Sequence, residues 1–294
     1  MAKVMRLKGT SSIFLLLPLS ILLWAAPSFA WRENTHHLIN EAALQALPSD
    51  FPSFLKEEQS WIVYQAPEPD RWKSKEAETL KKDSSPEHYL FLESIPLSAS
   101  QFPQDRFSYM RALPEKDLPE DVGLLPFAIM DTYQKLFLSF KAWHKNHTGD
   151  KRKPIEGNIT YYAGLLGHYV GDGSMPLHLT IHHDGWVGKN PNGYPTSNMH
   201  ASMERYAQET IRLKDLRSEL KPPTLLQDPF KSVIEYLFAS YAQVETLYSL
   251  DKAGGFQEKP IDPQGKAFML QAVARGSQML LDLWYTAYIE SKKE

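Results

Sequence analysis

Apolar residues recur at intervals of three and four positions along most of this chain, most clearly over 230–248. This spacing places apolar side chains on one face of an α-helix, so 230–248 is predicted to form one helix with a wide buried face. Alternating β-branched runs bounded by hairpin turns are scarce. We therefore expect an all-α fold, a single-domain bundle of many helices. Similar helical segments run roughly over 36–47, 53–65, 124–146, 156–171, 199–213 and 264–290.

The first 30 residues have the composition of a signal peptide. Three basic residues precede an apolar run over 13–26, which is shorter than the about 20 residues of a membrane-spanning helix. Ser28 and Ala30 are small, as signal peptidase requires, so cleavage after Ala30 would leave Trp31 as the mature N-terminus. An uncleaved anchor is the alternative. We expect residues 31–294 to form one exported catalytic domain, periplasmic or extracellular, with no transmembrane segment.

The chain of 294 residues contains no cysteine. Disulfides, thiolate nucleophiles and cysteine-ligated zinc are therefore excluded, and a bound metal must be held by nitrogen and oxygen. Three of the 32 basic residues lie in the leader, so the remainder has 29 bases against 35 acids, a net charge of −6. This balance argues against a broad basic face that binds duplex nucleic acid.

A histidine and an acid with helical spacing lie in the middle of the chain. His168 and Asp172 sit in or just after the apolar segment 159–170, and a spacing of four places both side chains on one helical face. Burying a carboxylate without a compensating charge costs several kcal/mol, and a bound cation is one compensation. A plain His–Asp hydrogen bond is the other interpretation.

A further histidine and a second pair follow. A proline ends the first helix and turns the chain, so His178 is predicted to approach the same region from another direction. His200 and Glu204 repeat the spacing of four on a helix whose N-cap is Ser197 or Asn198. Facing His/carboxylate pairs on two helices are how bundles build metal sites, so the five residues together predict one.

These residues form the pattern HxxxDxxxPxH followed by HxxxE. It resembles the signature of the superfamily of zinc-dependent phospholipases C and single-strand-specific zinc nucleases, and the resemblance spans the whole mature chain. His36, Asp70 and His88 match the family's histidine, acid and histidine that precede the signature. Trp31 matches an N-terminal tryptophan whose amine and carbonyl ligate zinc. The resemblance implies an all-α fold with a trinuclear zinc cleft.

The resemblance further implies three Zn²⁺ ions as cofactors. Nitrogen and oxygen ligands suit Zn²⁺, and three or four protein ligands per ion leave a position for water. The remaining histidines match no family ligand, and we expect them at the surface or beside the ligands: His37, His144, His147, His182 and His183. The implied ligand sets are Asp70, His88, His168 and Asp172 for one ion, His178, His200 and Glu204 for a second, and Trp31, His36 and the bridging Asp172 for a third.

The expected reaction is in-line attack of a zinc-bound hydroxide on phosphorus, while the third ion neutralises charge on the leaving oxygen. Asp70 would orient or deprotonate the attacking water, or simply ligate zinc. Arg71 and Lys73 are candidates to stabilise the phosphoryl oxygens, and a solvated cation beside a carboxylate is the alternative for each. Tyr89 matches the nuclease aromatic that stacks an unpaired base, and core packing is its alternative.

The spacing of the ligands favours the nuclease branch. The step of five from Trp31 to His36 and the step of 22 from His178 to His200 resemble the nucleases, whereas Glu204 in place of aspartate resembles the phospholipases. We expect an endonuclease that acts on single-stranded DNA or RNA, with an accompanying 3′-nucleotidase activity. The alternatives are a phospholipase C that cleaves phospholipid head groups and a non-catalytic secreted zinc-binding protein. No stable protein partner is implied.

Overall fold

The computed structural model describes residues 31–146 and 149–293. This part of the chain consists mainly of α-helices with four short 3₁₀ helices, and it contains no β-strand. The prediction of an all-α fold is confirmed. The predicted signal peptide, residues 1–30, lies outside the described residues, so its cleavage stays a prediction. None of the described helices combines the length and the apolar character needed to cross a lipid bilayer.

The α-helices differ widely in length, from four to 28 residues. The 3₁₀ helices lie at Ser85–His88, Leu92–Ser94, Ala99–Gln101 and Pro176–Leu179. The α-helices are α1 (Glu33–Gln45), α2 (Phe54–Glu57), α3 (Gln59–Gln65), α4 (Glu68–Arg71), α5 (Glu78–Ser84), α6 (Arg106–Ala112), α7 (Pro119–Val122), α8 (Leu125–Lys145), α9 (Arg152–Ser174), α10 (Met199–Thr210), α11 (Leu213–Glu219), α12 (Pro229–Tyr241), α13 (Val244–Lys252) and α14 (Pro263–Glu290).

Helix α9 lies at the centre of the bundle. It contacts α1, α3, α8, α12 and α14, and nearly all of its residues from Ile159 to Ser174 are buried. A helix that is covered on all sides needs apolar residues all round, which is the pattern of this segment. The polar side chains that α9 carries near its C-terminal end are therefore brought into the interior of the protein.

A glycine allows α1 to approach α9 closely. The side-chain amide of Asn40 on α1 donates hydrogen bonds to the carbonyls of Ile62 and Gly164, both at 3.1 Å. A Cβ atom at Gly167 would lie 1.6 Å from Asn40 Oδ1. We expect Gly167→Ala to lower the free energy of unfolding by roughly 2–4 kcal/mol, because the methyl group displaces an amide that satisfies two buried carbonyls.

Gly157 provides the matched control for this prediction. It lies on the exposed part of the same helix, and a Cβ there meets nothing within 4 Å. Gly157→Ala should stabilise the protein by about 0.5–1 kcal/mol, since alanine has the higher helix propensity. Urea denaturation of both variants measures the difference, and equal effects would contradict the close approach of α1 at Gly167.

The prediction of one helix over 230–248 is wrong. Helix α12 ends at Tyr241 and α13 begins at Val244, with a turn at Ala242 and Gln243 between them. Neither proline nor glycine marks this break. Helix α12 packs against α8, α9, α14 and the 3₁₀ helix Pro176–Leu179, and α13 packs against the last two of these. Because most helical stability in proteins comes from tertiary packing, a change in the set of neighbours along the segment can divide it although its periodicity is continuous.

Candidate metal centre

Asp172, near the C-terminal end of α9, is the centre of a first cluster. Its carboxylate is fully buried and lies 3.4 Å from His36 Nε2, 3.0 Å from His88 Nδ1 and 3.3 Å from His168 Nε2. His36 comes from α1, His88 from the end of a 3₁₀ helix, and His168 from the preceding turn of α9. Three separate elements thus bring their imidazoles to one carboxylate.

Asp70 on α4 completes the first cluster. Its Oδ1 lies 3.7 Å from His88 Nδ1 and 3.8 Å from His168 Nε2, and Lys73 Nζ lies 2.6 Å from the same oxygen. Burial alone would raise the pKa of Asp70, but the charges of His168, Lys73 and His88 outweigh burial and lower it. The carboxylate is therefore ionised at neutral pH and available as a ligand.

His178, His200 and Glu204 form a second cluster. His178 Nε2 lies 3.0 Å from His200 Nε2, and His200 Nε2 lies 2.9 Å from Glu204 Oε1. His178 belongs to the 3₁₀ helix that begins at Pro176, and the other two residues lie one turn apart on α10. All three side chains are buried. The chain turn at the proline and the spacing of four on α10 account for this convergence.

The start of α10 is held by a residue that the sequence did not point to. Asn198 occupies the N-cap position with a φ of 62°, but its side chain makes no capping hydrogen bond. The N-cap predicted at Ser197 or Asn198 is therefore confirmed at Asn198 as a position, but no side-chain capping bond forms there. Asp184 satisfies the first N–H groups of α10 instead. Its carbonyl accepts the N–H of Met199 at 3.2 Å, and its Oδ1 accepts the N–H of His200 at 3.3 Å.

Backbone carbonyls orient two of the imidazoles. The Nδ1–H of His168 donates to the Ala66 carbonyl at 2.8 Å, and the Nδ1–H of His178 donates to the His88 carbonyl at 2.6 Å. A carbonyl can only accept, so in the neutral form of each ring the proton lies on Nδ1 and the lone pair on Nε2. Each Nε2 faces its cluster, which is the orientation that a metal ligand requires.

Burial sets the protonation of the second cluster. The pKa of His200 lies well below its ordinary value, mainly because the ring is buried and secondly because His178 lies beside it. Burial raises the pKa of Glu204 well above its ordinary value, and the negative charges of Asp70 and Asp172 act in the same direction. Both shifts mark groups that are costly to charge in isolation. A cation between them would stabilise the carboxylate and use the neutral imidazole as a ligand.

The spacing of the donor atoms fits zinc. Two ligand atoms around a tetrahedral ion, with bonds of about 2.0–2.2 Å, lie roughly 3.2–3.6 Å apart. The donor pairs given above lie between 2.9 and 3.8 Å apart. Three groups of donor atoms fall within 4.8 Å of one another and could hold a metal ion: His36, Asp70 and His168; His88, His168 and Asp172; and His178, His200 and Glu204.

Several of these donor atoms approach one another but make no hydrogen bond. His36 Nε2, Asp172 Oδ1 and Glu204 Oε1 are buried and make no hydrogen bond with the described residues. An unsatisfied buried polar atom costs about 1–3 kcal/mol, and more when it is charged. A bound cation would satisfy all three atoms, so the donor set fits a metal better than it fits a purely structural cluster.

Trp31 lies fully buried beside Asp172. Its Nε1–H donates to the Gly171 carbonyl at 2.8 Å and to Ser174 Oγ at 2.9 Å, so the indole is fixed against the end of α9. The predicted role of its amine depends on cleavage after Ala30, which lies outside the described residues. Zinc ligation by this amine therefore stays a prediction.

The two predicted phosphoryl-stabilising cations lie beside carboxylates. Lys73 is buried against Asp70, as described above. Arg71 pairs with Glu68 at 2.7 Å and with Glu33 at 3.2 Å. Both side chains therefore have a charge-compensating role, and their contact with substrate stays a prediction.

Tyr89 is partly exposed at the edge of the site. Its hydroxyl donates to the Glu120 carbonyl at 2.5 Å, and its ring stacks on Phe91 with centroids 4.8 Å apart. Phe91 in turn stacks on His183 at 5.4 Å, and His183 lies 6.5 Å from the ring of His200. A row of rings thus leads from Tyr89 to the second cluster. Stacking of a base on Tyr89 stays a prediction.

Arg32 is a residue of the site that the sequence analysis missed. Together with Asp70 and Arg71 it lines a cavity of about 470 Å³. Its side chain makes no hydrogen bond or ion pair within residues 31–146 and 149–293. Its position directly after Trp31 is the only signal in the sequence that could have identified it.

Comparisons with known proteins give a structural likeness but no match by sequence. No protein-family model matches this chain, and no curated protein matches it by sequence. Among solved structures, the alpha toxin from Clostridium absonum matches with a TM-score of 0.46 and 16% sequence identity. The match covers 92% of this chain and 66% of the toxin chain, so this chain spans about two thirds of the length of the toxin.

Proposed function

We propose that this chain is an exported zinc-dependent phosphodiester hydrolase of the zinc phospholipase C and nuclease superfamily, and that it cleaves single-stranded nucleic acid. The observation that carries the proposal is the convergence of eight buried side chains into two clusters whose donor spacing fits zinc. A chain with no catalytic cysteine and with nitrogen and oxygen donors only is suited to hydrolysis assisted by metal ions.

The proposed ligand sets follow the contacts of the two clusters. Asp70, His88, His168 and Asp172 would hold one ion, and the second cluster would hold another. The Oδ1 of Asp172 faces His36, so these two side chains could hold a third ion together with the mature N-terminus at Trp31. When bound, Zn²⁺ polarises phosphoryl oxygens and lowers the pKa of water to about 7, which supplies a nucleophile at neutral pH.

The protein's own residues prepare the site for this chemistry. Lys73 favours the ionised form of Asp70, so that this carboxylate can accept a hydrogen bond from the attacking water. The carbonyls of Ala66 and His88 hold two imidazoles in the ligating tautomer. Burial of the ligands excludes bulk water and strengthens the electrostatic interactions within the cluster.

The third ion can be tested at the mature N-terminus. We expect a single alanine added before Trp31 to lower the zinc content by about one ion per chain, because the extension moves the free amine away from Asp172. Elemental analysis of both proteins, with a C-terminally extended chain as control, measures the change. Unchanged stoichiometry would show that the amine is not a ligand.

Substrate choice is tested by parallel incubation of the zinc-loaded protein with single-stranded DNA, RNA, a 3′-nucleotide and phosphatidylcholine. We expect hydrolysis of the two nucleic acids. Hydrolysis of phosphatidylcholine alone would support the phospholipase C alternative, which Glu204 in the HxxxE motif favours. Zinc binding with every substrate intact would support the non-catalytic alternative.

A further inference from the structure

We propose that Trp61 and Tyr64 on α3 form a stacking surface for a nucleotide that flanks the scissile phosphodiester, and that Arg32 contacts the intervening phosphate. This inference rests on the proposed function and deepens it, because it assigns a substrate of several nucleotides to the site. The observations behind it are the two rings, the arginine that packs on Tyr64, and a cavity that this arginine shares with Arg32 and Asp70.

The two rings are unusually exposed for side chains of their size. Trp61 is 45% exposed and Tyr64 is 49% exposed. Their ring centroids lie 5.6 Å apart at an interplanar angle of 16°. The opposite face of α3 is buried through Ile62 and Gln65. The helix is therefore fixed to the core on one side and presents a stacked ring pair to solvent on the other.

Arg71 holds Tyr64 in place. Its guanidinium carbon lies 4.2 Å from the centroid of the Tyr64 ring, and its Nη1 donates to the Tyr64 carbonyl at 3.2 Å. Ion pairs with Glu68 and Glu33 fix the guanidinium itself. Trp61, in contrast, has no ring or cation contact within the described part of the chain except Tyr64. Trp61 is thus the ring with a face available to a ligand.

A cavity of about 470 Å³ lies beside the metal centre, and Arg71 links it to the ring pair. Its walls include Arg71, which contacts the Tyr64 ring, and Asp70, which belongs to the first cluster. Arg32 adds a second cation to these walls; it makes no ion pair within the described residues, although Glu33 and Asp70 line the same cavity. A phosphate that lies one nucleotide away from the scissile bond would meet this guanidinium, since cationic grooves beside stacking rings are how proteins follow a single strand.

The neighbours of the ring pair favour a nucleic acid over a lipid surface. The exposed residues that precede it in the chain are polar, among them Lys56, Glu57 and Ser60. Membrane-binding surfaces are contiguous apolar patches, whereas stacking surfaces combine isolated rings with cations. Two rings with one arginine against them and a second arginine in the adjacent cavity match the second description.

The test is binding of a fluorescein-labelled oligothymidylate with phosphorothioate linkages, which resist hydrolysis, measured by anisotropy with the zinc-loaded mature chain. We expect Trp61→Leu to weaken binding about tenfold, or about 1.4 kcal/mol, at the lower end of base–aromatic stacking. Phe107→Leu is the matched control, because Phe107 is 70% exposed on α6. Its substitution should leave binding unchanged.

A second variant tests the phosphate contact. Arg32→Gln should reduce the slope of log affinity against log salt concentration by about 0.7, the amount for one phosphate contact with a single strand. An unchanged slope, equal losses in Trp61→Leu and Phe107→Leu, or no loss in Trp61→Leu would overturn the inference. So would an effect of Trp61→Leu on binding to phosphatidylcholine vesicles alone. Failure of the proposed function is a separate result, since it requires that the unsubstituted zinc-loaded protein leave single-stranded DNA and RNA intact.

Discussion

Asp172→Asn is expected to lower the rate of phosphodiester hydrolysis by about 1000-fold or more and to remove at least one zinc ion per chain. Asparagine keeps the size of the side chain but removes the negative charge that three imidazoles surround. Loss of one electrostatic contact in an active site commonly costs 10²–10³ in rate, and this carboxylate is proposed to serve two ions. Steady-state kinetics and elemental analysis measure the two effects.

The control for this prediction is Asp150→Asn. Asp150 is exposed and lies just before α9, far along that helix from its buried C-terminal end. The substitution removes the same charge and should leave both rate and metal content unchanged. Circular dichroism of Asp172→Asn should show the helical content retained, which separates loss of metal from loss of fold. Near-normal activity and metal content in Asp172→Asn would refute the proposed centre.

Removal of zinc by a chelator is expected to lower the melting temperature by about 10 °C or more. An ion present at about 1000 times its dissociation constant stabilises the folded state by about 4 kcal/mol, and each kcal/mol corresponds to about 2–4 °C in a protein of this size. The chelated protein would also retain buried ligand atoms that make no hydrogen bond, among them Asp172 Oδ1 and Glu204 Oε1. Differential scanning calorimetry measures the shift.

Adding single metal ions back to the chelated protein tests the identity of the metal. Zn²⁺ should restore the melting temperature, whereas Mg²⁺ should not, because Mg²⁺ prefers six oxygen ligands and these clusters are rich in imidazole. Asp172→Asn should show a smaller chelator effect than the unsubstituted protein, since it begins with fewer ions. An unchanged melting temperature after complete removal of zinc would mean that the clusters are stable without metal.

The helices and the donor set could be predicted from local patterns. The periodicity over 124–146 and 264–290 corresponds to α8 and α14, and the spacing of four in His168/Asp172 and His200/Glu204 places each pair on one helical face. Local patterns do not predict features that depend on contacts between distant parts of the chain. The break between α12 and α13 carries no residue signal, and Asp184 holds the start of α10 from a preceding loop.

The sequence by itself determined which residue types are available and how they are spaced: no sulfur ligand, histidines and acids one helical turn apart, and apolar stripes that require helices. The tertiary structure decided which of these groups meet. The Ala66 carbonyl orients the imidazole of His168, and the ammonium of Lys73 compensates the negative charge of Asp70. Arg32 lines the cavity beside Asp70. The physical reason is that spacing along one helix fixes a face, whereas the direction of a ring and the compensation of a charge depend on neighbours from elsewhere in the chain.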